Sequence, residues 1–160
     1  MVIRPVEQRE HEALGALTVE AYSGLDRPPS AEYAAILADV GSRVAGAEVL
    51  VAVDGDEVLG GVTYVSDPAS PYAEFADPGE ACFRMLAVAP WAQGRGVGRA
   101  LVDVCIERAR RDAKRRLSLY TTPSMHGAHR LYERLGFRRV AELDMMTDSG
   151  LELRSYALDL

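Results

Sequence analysis

The amino-acid sequence predicts one mixed α/β domain over residues 1–160, in which a sheet is flanked by about four helices. Apolar runs of strand length alternate with longer segments of helical periodicity, in the order β-α-α-β-β-β-α-β-α-β-β. The chain has 160 residues, of which 48% are hydrophobic and 26% charged, and this composition is typical of a globular domain with one core. No internal repeat or interdomain linker interrupts the pattern.

Three strands and two helices are predicted in the first half of the chain. The strands are at residues 2–6, 48–53 and 57–65, and the helices at residues 10–22 and 30–45. Leu14 and Leu17 lie on one face of the first helix, and Ser30 is a suitable N-cap for the second. Asp54-Gly55-Asp56 predicts a hairpin turn, because glycine readily adopts left-handed conformations. A long loop is expected at residues 68–79.

The second half is predicted to alternate strands and helices more regularly. Strands are expected at residues 80–89, 117–121, 137–143 and 151–160, and helices from the glycines at 94–98 to about Lys114 and over residues 124–135. Gly136 ends the second of these helices. A turn at residues 147–150 joins the last two strands.

A glycine-rich turn between a strand and a helix is the most informative segment. The strand pattern ends at Pro90, and the turn runs from Gln93 to Arg99. Glycines let the backbone approach an anion, the N–H groups of the turn point inward, and the following helix dipole favours negative charge. Arg95 and Arg99 add full positive charges. The segment therefore predicts a binding site for a phosphorylated cofactor.

Two common phosphate-binding motifs do not fit this turn. A P-loop places Lys and Ser or Thr after its glycines, whereas Arg99 and Ala100 stand there. A dinucleotide-binding turn has the spacing Gly-x-Gly-x-x-Gly, which Gly94-Arg-Gly-Val-Gly98 lacks. The segment Leu86-Ala-Val-Ala-Pro90, followed by Gln93-x-x-Gly96-x-Gly98, instead resembles the pyrophosphate-binding signature of the GNAT superfamily of acyl-CoA N-acyltransferases.

A second block strengthens the resemblance. The segment Ala128-His-Arg-Leu131-Tyr132-Glu-Arg-Leu135-Gly136-Phe137 is similar to the Ala-x-x-Leu-Tyr-x-x-x-Gly-Phe pattern of the same superfamily. The two blocks occur in the expected order, on predicted strand–helix–strand–helix–strand elements. Together they span residues 81–140, and the rest of the chain agrees by pattern only.

The resemblance implies a mostly antiparallel sheet and an N-acetyltransferase that moves an acetyl group from acetyl-CoA to a primary amine by direct attack, without a metal. The backbone of Leu86, Ala87 and Val88 would pair with the pantetheine arm in a splay between strands 80–89 and 117–121, and would polarise the thioester carbonyl. Tyr132 would be the general acid for the leaving thiolate. The pyrophosphate would bind the turn, formed by Gln93, Gly94, Arg95, Gly96, Val97, Gly98 and Arg99.

The resemblance does not identify a general base. Branches of the superfamily place a glutamate on the strand before the turn or on the strand after it, and those two positions hold Cys82 and Tyr120 here. Glu80 shares a strand face with Cys82 by alternation, so we take it as the candidate base, directly or through a water. The alternative is an exposed acid at the start of a strand. Met125 stands where many relatives carry an Asn that helps to fix the cofactor arm.

The charge distribution narrows the choice of partner. The net charge of −6 argues against nucleic acid as a partner. Residues 1–80 carry 4 Lys+Arg and 15 Asp+Glu, whereas residues 81–160 carry 14 and 9. An acidic first half suits a cationic acceptor, either a small molecule or a peptide amine, although the same acids could simply be solvated surface.

Other features of the composition predict a cytoplasmic protein that does not bind membranes. No apolar run approaches the roughly 20 residues of a membrane span, and no signal-peptide pattern is found at the N-terminus. Cys82 and Cys105 are expected to be reduced core residues. The family resemblance makes a homodimer possible.

Two other functions are compatible with the sequence. A non-catalytic acyl-CoA-binding sensor or interaction module would explain why neither expected glutamate is present. A nucleotide-phosphate enzyme would rest on the glycine turn alone.

Overall fold

The computed structural model describes all 160 residues. Its helices are α1 His11–Ser23, α2 Ala31–Ala38, α3 Val40–Gly46, α4 Val97–Arg111 and α5 His126–Arg134. Its strands are β1 Val2–Pro5, β2 Glu48–Asp54, β3 Glu57–Val65, β4 Glu80–Val88, β5 Arg116–Thr121, β6 Arg138–Arg139, β7 Met145–Met146 and β8 Glu152–Asp159. Short 3-10 turns precede α1 and α4 and follow β6. No helix combines the length and the apolar character that crossing a membrane requires.

The sheet has the strand order β1-β2-β3-β4-β5-β8-β6, and β7 also pairs with β8. Every pairing is antiparallel except that of β4 with β5, which is parallel. A parallel neighbour requires a crossover, and α4 supplies it. The predicted mixed α/β class with a mostly antiparallel sheet is therefore confirmed.

The sheet is covered by helices on both faces. Leu50 belongs to the large core beneath α4, and the adjacent Val49 packs with Leu14 of α1 and Val40 of α3. Successive residues of a strand point to opposite faces, so the two clusters lie on opposite sides of the sheet. Cys105 of α4 is fully buried as a free thiol, as predicted.

The predicted single helix over residues 30–45 is wrong, because the chain forms two helices there. Ser30 caps α2 as predicted, and its hydroxyl accepts a hydrogen bond from the N–H of Tyr33. Asp39 then leaves the helical conformation, with φ −88° and ψ 73°, and its carboxylate caps α3 by accepting from the N–H of Ser42. The buried guanidinium of Arg43 donates to carbonyls at the end of α2. Backbone polar groups on both sides of the break, at the end of α2 and the start of α3, thus have hydrogen-bond partners.

The predicted strand over residues 137–143 is also wrong. Only Arg138–Arg139 pairs with β8, and a 3-10 turn over Ala141–Leu143 follows. The carboxylate of Asp144 explains the turn, because it accepts hydrogen bonds from the guanidinium of Arg139 and from the N–H of Ser155. These bonds fold the connection back onto β8 instead of extending β6.

A bulge in β4 separates this strand from β5. Met85 has φ +55°, and the β3–β4 register shifts at this level, between Gly61 and Thr63. The parallel pairing of β4 with β5 ends at Cys82 and Ser118, although both strands continue beyond these residues. Because a bulge bends the strand that carries it, β4 and β5 diverge and leave an opening in the middle of the sheet.

Candidate functional site

The turn between β4 and α4 presents a continuous run of backbone donors. No N–H group from Gln93 to Arg99 makes a hydrogen bond within the chain, and the first helical bond runs from the N–H of Ala100 to the carbonyl of Gly96, at 3.0 Å. The helix dipole of α4 adds partial positive charge at the same place. A pyrophosphate is a partner that such a set of donors fits, so the residues present match the predicted phosphate site.

Two glycines give this turn its shape. Gly94 and Gly96 have φ +77° and +79°, a region that L side chains rarely adopt, although a Cβ at either position would meet no atom within 4 Å. Glycine is therefore needed at these two positions for its backbone conformation and not for space. The side chains of Arg95 and Arg99 are 51% and 65% exposed, and each makes one long ion pair, at 3.8 and 3.7 Å. Both guanidinium groups remain accessible to an anion.

The opening between β4 and β5 leads from this turn into the sheet. Ala87 and Val88 pair with Gly61 and Gly60 of β3, but beyond Cys82 the other edge of β4 has no strand partner. The backbone groups along that edge, at Leu86 among others, therefore have no hydrogen-bond partner from a neighbouring strand. Such an edge forms hydrogen bonds with an extended, amide-containing ligand. The predicted splay between the two strands is thus present.

Tyr132 lies in α5 against the β4 side of this opening. Its side chain is buried among Phe83, Phe137 and Tyr156, with ring centroids 5.9, 5.9 and 6.1 Å away. The hydroxyl of Tyr132 makes no hydrogen bond within the chain. Burial raises the pKa of this phenol above its usual value, so it keeps its proton at neutral pH. A protonated hydroxyl without a partner is what a general acid requires.

Glu80, the predicted base, occupies the first position of β4, at the end of the strand away from the turn. Its carboxylate lies 3.6 Å from a guanidinium nitrogen of Arg115 and 3.6 Å from one of Arg116. It shares a surface pocket with these residues, Arg138 and Asp159. Two guanidinium groups pair with this carboxylate, at the end of the strand opposite the turn and away from the predicted position of the thioester. The catalytic role of Glu80 stays a prediction that this arrangement does not favour.

The two positions at which the resemblance expects a carboxylate both lie near the opening. Cys82 is fully buried, and burial raises the pKa of its thiol to about 12, so the thiol is protonated and inert. The Tyr120 hydroxyl donates to the carbonyl of Leu143, at 3.0 Å. Met125 precedes α5, and its sulfur accepts a hydrogen bond from the hydroxyl of Thr121, at 3.2 Å. None of these side chains is a base at neutral pH.

One further carboxylate, which the sequence analysis did not single out, lies beside β4. Glu74 belongs to the connection between β3 and β4, is 20% exposed, and lies 3.8 Å from the guanidinium of Arg84. The connection contains no helix or strand, so no periodicity in the sequence shows which of its residues face inward. The only feature of the sequence that marks Glu74 is its position between two aromatic residues, Tyr72 and Phe75.

The histidines of α5 serve local structure. The ring of His129 stacks on Tyr156 at 5.6 Å, and its Nε2 atom lies 2.9 Å from the carbonyl of Thr122. Burial lowers the pKa of His129, so its ring is neutral at neutral pH. His126 is exposed. No group of three or more His, Cys, Asp and Glu side chains is arranged to hold a metal ion.

Comparison with known proteins gives one family. Residues 12–137 match the family described as the acetyltransferase (GNAT) family. Two curated proteins named mycothiol acetyltransferase, from Geodermatophilus obscurus and Beutenbergia cavernae, are 41% and 37% identical over 92 residues. These matches cover 57% and 58% of this chain but only 29% and 28% of the relatives. The match therefore spans less than a third of the length of either relative.

Solved structures share the fold along the whole chain. The structure of yncA from Salmonella typhimurium, which contains its cofactor acetyl-CoA, has a TM-score of 0.73 at 24% identity and covers 99% of this chain and 93% of that one. A ribosomal-protein-alanine N-acetyltransferase from Brucella melitensis has a TM-score of 0.74 at 23% identity, with 100% of both chains covered. At these identities the likeness establishes the fold.

Proposed function

Because this chain belongs to the GNAT acetyltransferase family, we propose that it transfers an acetyl group from acetyl-CoA to a primary amine. The family match over residues 12–137 also confirms the resemblance that the two sequence blocks predicted. The observation that carries the proposal is the run of unpaired N–H groups from Gln93 to Arg99 at the start of α4. Relatives named acetyltransferases, and a structural neighbour that contains acetyl-CoA, support this cosubstrate.

The turn would hold the pyrophosphate of the cosubstrate. Its backbone N–H groups donate without needing to move, and Arg95 and Arg99 supply charge-assisted hydrogen bonds. The unpaired edge of β4 at Leu86, Ala87 and Val88 would hold the pantetheine arm by strand-like hydrogen bonds. The N–H groups of the same edge would polarise the thioester carbonyl.

Tyr132 would give its proton to the leaving sulfur. Bound acetyl-CoA supplies a thioester, whose C–S bond breaks as the amine nitrogen forms the new C–N bond. The thiolate that leaves is less basic than a phenolate with a raised pKa, so the Tyr132 hydroxyl must contact the sulfur and donate as negative charge develops there. Packing of the Tyr132 ring on Phe83 and Phe137 holds the hydroxyl in place.

Steady-state kinetics with acetyl-CoA and primary amines test the proposal, with free thiol as the product detected. We expect thiol release that depends on both substrates and produces one acetylated amine for each thiol. Tight binding of CoA without turnover on any amine would contradict the transfer and would favour the acyl-CoA-binding module. Competition by ATP instead of CoA would contradict the cosubstrate itself.

A further inference from the structure

Glu74 and Arg84 form a half-buried pair in which one buried hydrogen-bond donor has no partner. Their side chains are only 20% and 23% exposed, and the Nε atom of Arg84 lies 3.8 Å from the carboxylate. That Nε atom is buried and donates no hydrogen bond, and the Arg84 Nη1 atom donates to the carbonyl of Tyr72, at 3.2 Å. Buried polar groups are almost always paired. The unpaired Nε atom of Arg84 therefore calls for an explanation.

The carboxylate of Glu74 lies over the point where β4 and β5 diverge. It pairs with Arg84, which stands on β4 between Cys82, the last residue of this strand that pairs with β5, and the bulge at Met85. A carboxylate 3.8 Å from the Arg84 guanidinium therefore lies beside the start of the opening. In agreement with this position, Glu74 contributes to the raised pKa values of Tyr22, Cys82 and Tyr120.

The proposed acid lies beside the same stretch of β4. The ring of Tyr132 packs on Phe83, which stands between Cys82 and Arg84 on the strand. Successive residues of a strand point to opposite faces, so Tyr132 and the Glu74–Arg84 pair lie on opposite faces of β4 at the same level. A nucleophile between them would have a proton acceptor on one side and a proton donor near the leaving group on the other.

Tyrosine side chains are presented by α1, α2 and the connection that contains Glu74. The rings of Tyr22 and Tyr33 meet edge to face with centroids 6.5 Å apart. Tyr72 comes from the same connection as Glu74, and its ring lies against Gly46 of α3. Aromatic faces attract organic cations, and a single carboxylate among them fixes where the cation binds. The arrangement suits an alkylammonium or arylalkylammonium group.

The protonation behaviour of Glu74 suits a base. Burial raises the pKa of its carboxyl, and the guanidinium of Arg84 opposes the rise. A carboxylate with a raised pKa is a stronger proton acceptor, and the Arg84 guanidinium favours its ionised form. Other groups that face it are the phenols of Tyr22 and Tyr120 and the thiol of Cys82, all of which are neutral at that pH.

We propose that Glu74 is the catalytic base of this chain and that its acceptor is a primary ammonium compound bound among the tyrosines of α1, α2 and the β3–β4 connection. This inference rests on the proposed acetyl transfer. One N–H bond of the ammonium breaks, and its proton passes to the Glu74 carboxylate and then to solvent. The freed nitrogen lone pair forms the C–N bond, the C–S electrons leave with sulfur, and sulfur takes the proton of Tyr132. The nitrogen of the new C–N bond then loses its second proton, which returns to the Tyr132 phenolate through solvent and leaves a neutral amide.

Two amines of different basicity test the role of Glu74. Phenylethylamine is protonated at neutral pH and needs a base, whereas trifluoroethylamine is largely unprotonated and does not. Each is assayed with acetyl-CoA, using wild type, Glu74→Gln and the control Glu32→Gln, which removes an exposed carboxylate from α2. We expect Glu74→Gln to lower kcat/KM for phenylethylamine by about 100- to 10,000-fold and to change that for trifluoroethylamine much less. Glu32→Gln should behave as wild type.

The outcomes separate this inference from the proposed function. Turnover with equal losses for the two amines, or with no loss, overturns the role of Glu74 and leaves the acetyl transfer standing. CoA binding without transfer to phenylethylamine overturns the aromatic ammonium site. The thermal shift with CoA should be equal in wild type and Glu74→Gln; if neither shifts, the proposed function fails first. Glu74→Asp keeps the carboxylate and is the second variant if the glutamine variant does not fold.

Discussion

Removal of the Tyr132 hydroxyl should damage catalysis and leave stability almost unchanged. The hydroxyl makes no hydrogen bond in the folded chain, whereas the aromatic ring packs against Phe83 and Phe137. Tyr132→Phe therefore keeps the packing and removes an unpaired polar group, so we expect the free energy of unfolding to change by less than about 0.5 kcal/mol. Loss of the general acid should lower kcat by about 100- to 10,000-fold, with the KM for acetyl-CoA nearly constant.

Tyr64→Phe is the matched control for this variant. Tyr64 is also a buried tyrosine of the core, but its hydroxyl donates to the Asp112 carboxylate, at 2.9 Å, and it lies outside the proposed site. We expect this variant to lose about 1–2 kcal/mol of stability and to keep wild-type kcat. Thermal unfolding and steady-state kinetics on both variants give the comparison. Wild-type kcat in Tyr132→Phe would refute the role of its hydroxyl and leave Tyr132 as a packing residue.

Two further predictions concern stability. Gly15→Ala should destabilise the protein, because a Cβ there would lie 2.4 Å from the carbonyl oxygen of Ala38. The control Gly41→Ala, whose Cβ would meet its nearest atom at 3.7 Å, should gain up to about 1 kcal/mol of stability from helix propensity. Urea unfolding that ranks the two variants in the opposite order would contradict the packing of α1. Hydrogen bonds from Arg139, and one from a backbone N–H, hold the pKa of Asp144 at about 2, so its stabilising effect is complete above the ordinary value of 3.8 and is lost as the pH falls toward 2. Asp144→Asn should remove that part of the pH dependence between about pH 5 and 2, and an unchanged profile would contradict the contact.

Features whose conformation depends on single residues were predictable from the sequence. Gly55 and Gly136 have φ +59° and +94°, and both mark turns at the predicted places. Gly94 and Gly96 adopt the left-handed conformations that a phosphate-binding turn needs. In each case a local requirement of the backbone selects glycine, so the sequence records it directly. Gly96 and Gly136 also belong to the two sequence blocks that carry the family resemblance.

Features that depend on contacts between distant segments were not predictable. The break at Asp39 requires the burial of Arg43, and the short β6 requires Asp144 to reach Ser155 of β8. Glu74 lies in a connection without periodicity, and its place beside Arg84 depends on how that connection crosses the sheet. Propensity and alternation do not encode these contacts.

Binding of CoA by the turn between β4 and α4 is the central claim, and thermal unfolding tests it most directly. Wild type is heated with acetyl-CoA, CoA, ATP and NAD in parallel, beside Gly96→Glu and the control Gly150→Glu. Gly150 has a similar φ of +83° and open surroundings, but lies in the β7–β8 turn. We predict that CoA and acetyl-CoA alone stabilise wild type and Gly150→Glu, by about 2.7 kcal/mol at 100 times Kd, and that Gly96→Glu shows no shift. An equal shift in Gly96→Glu, or none with CoA in wild type, would contradict the account.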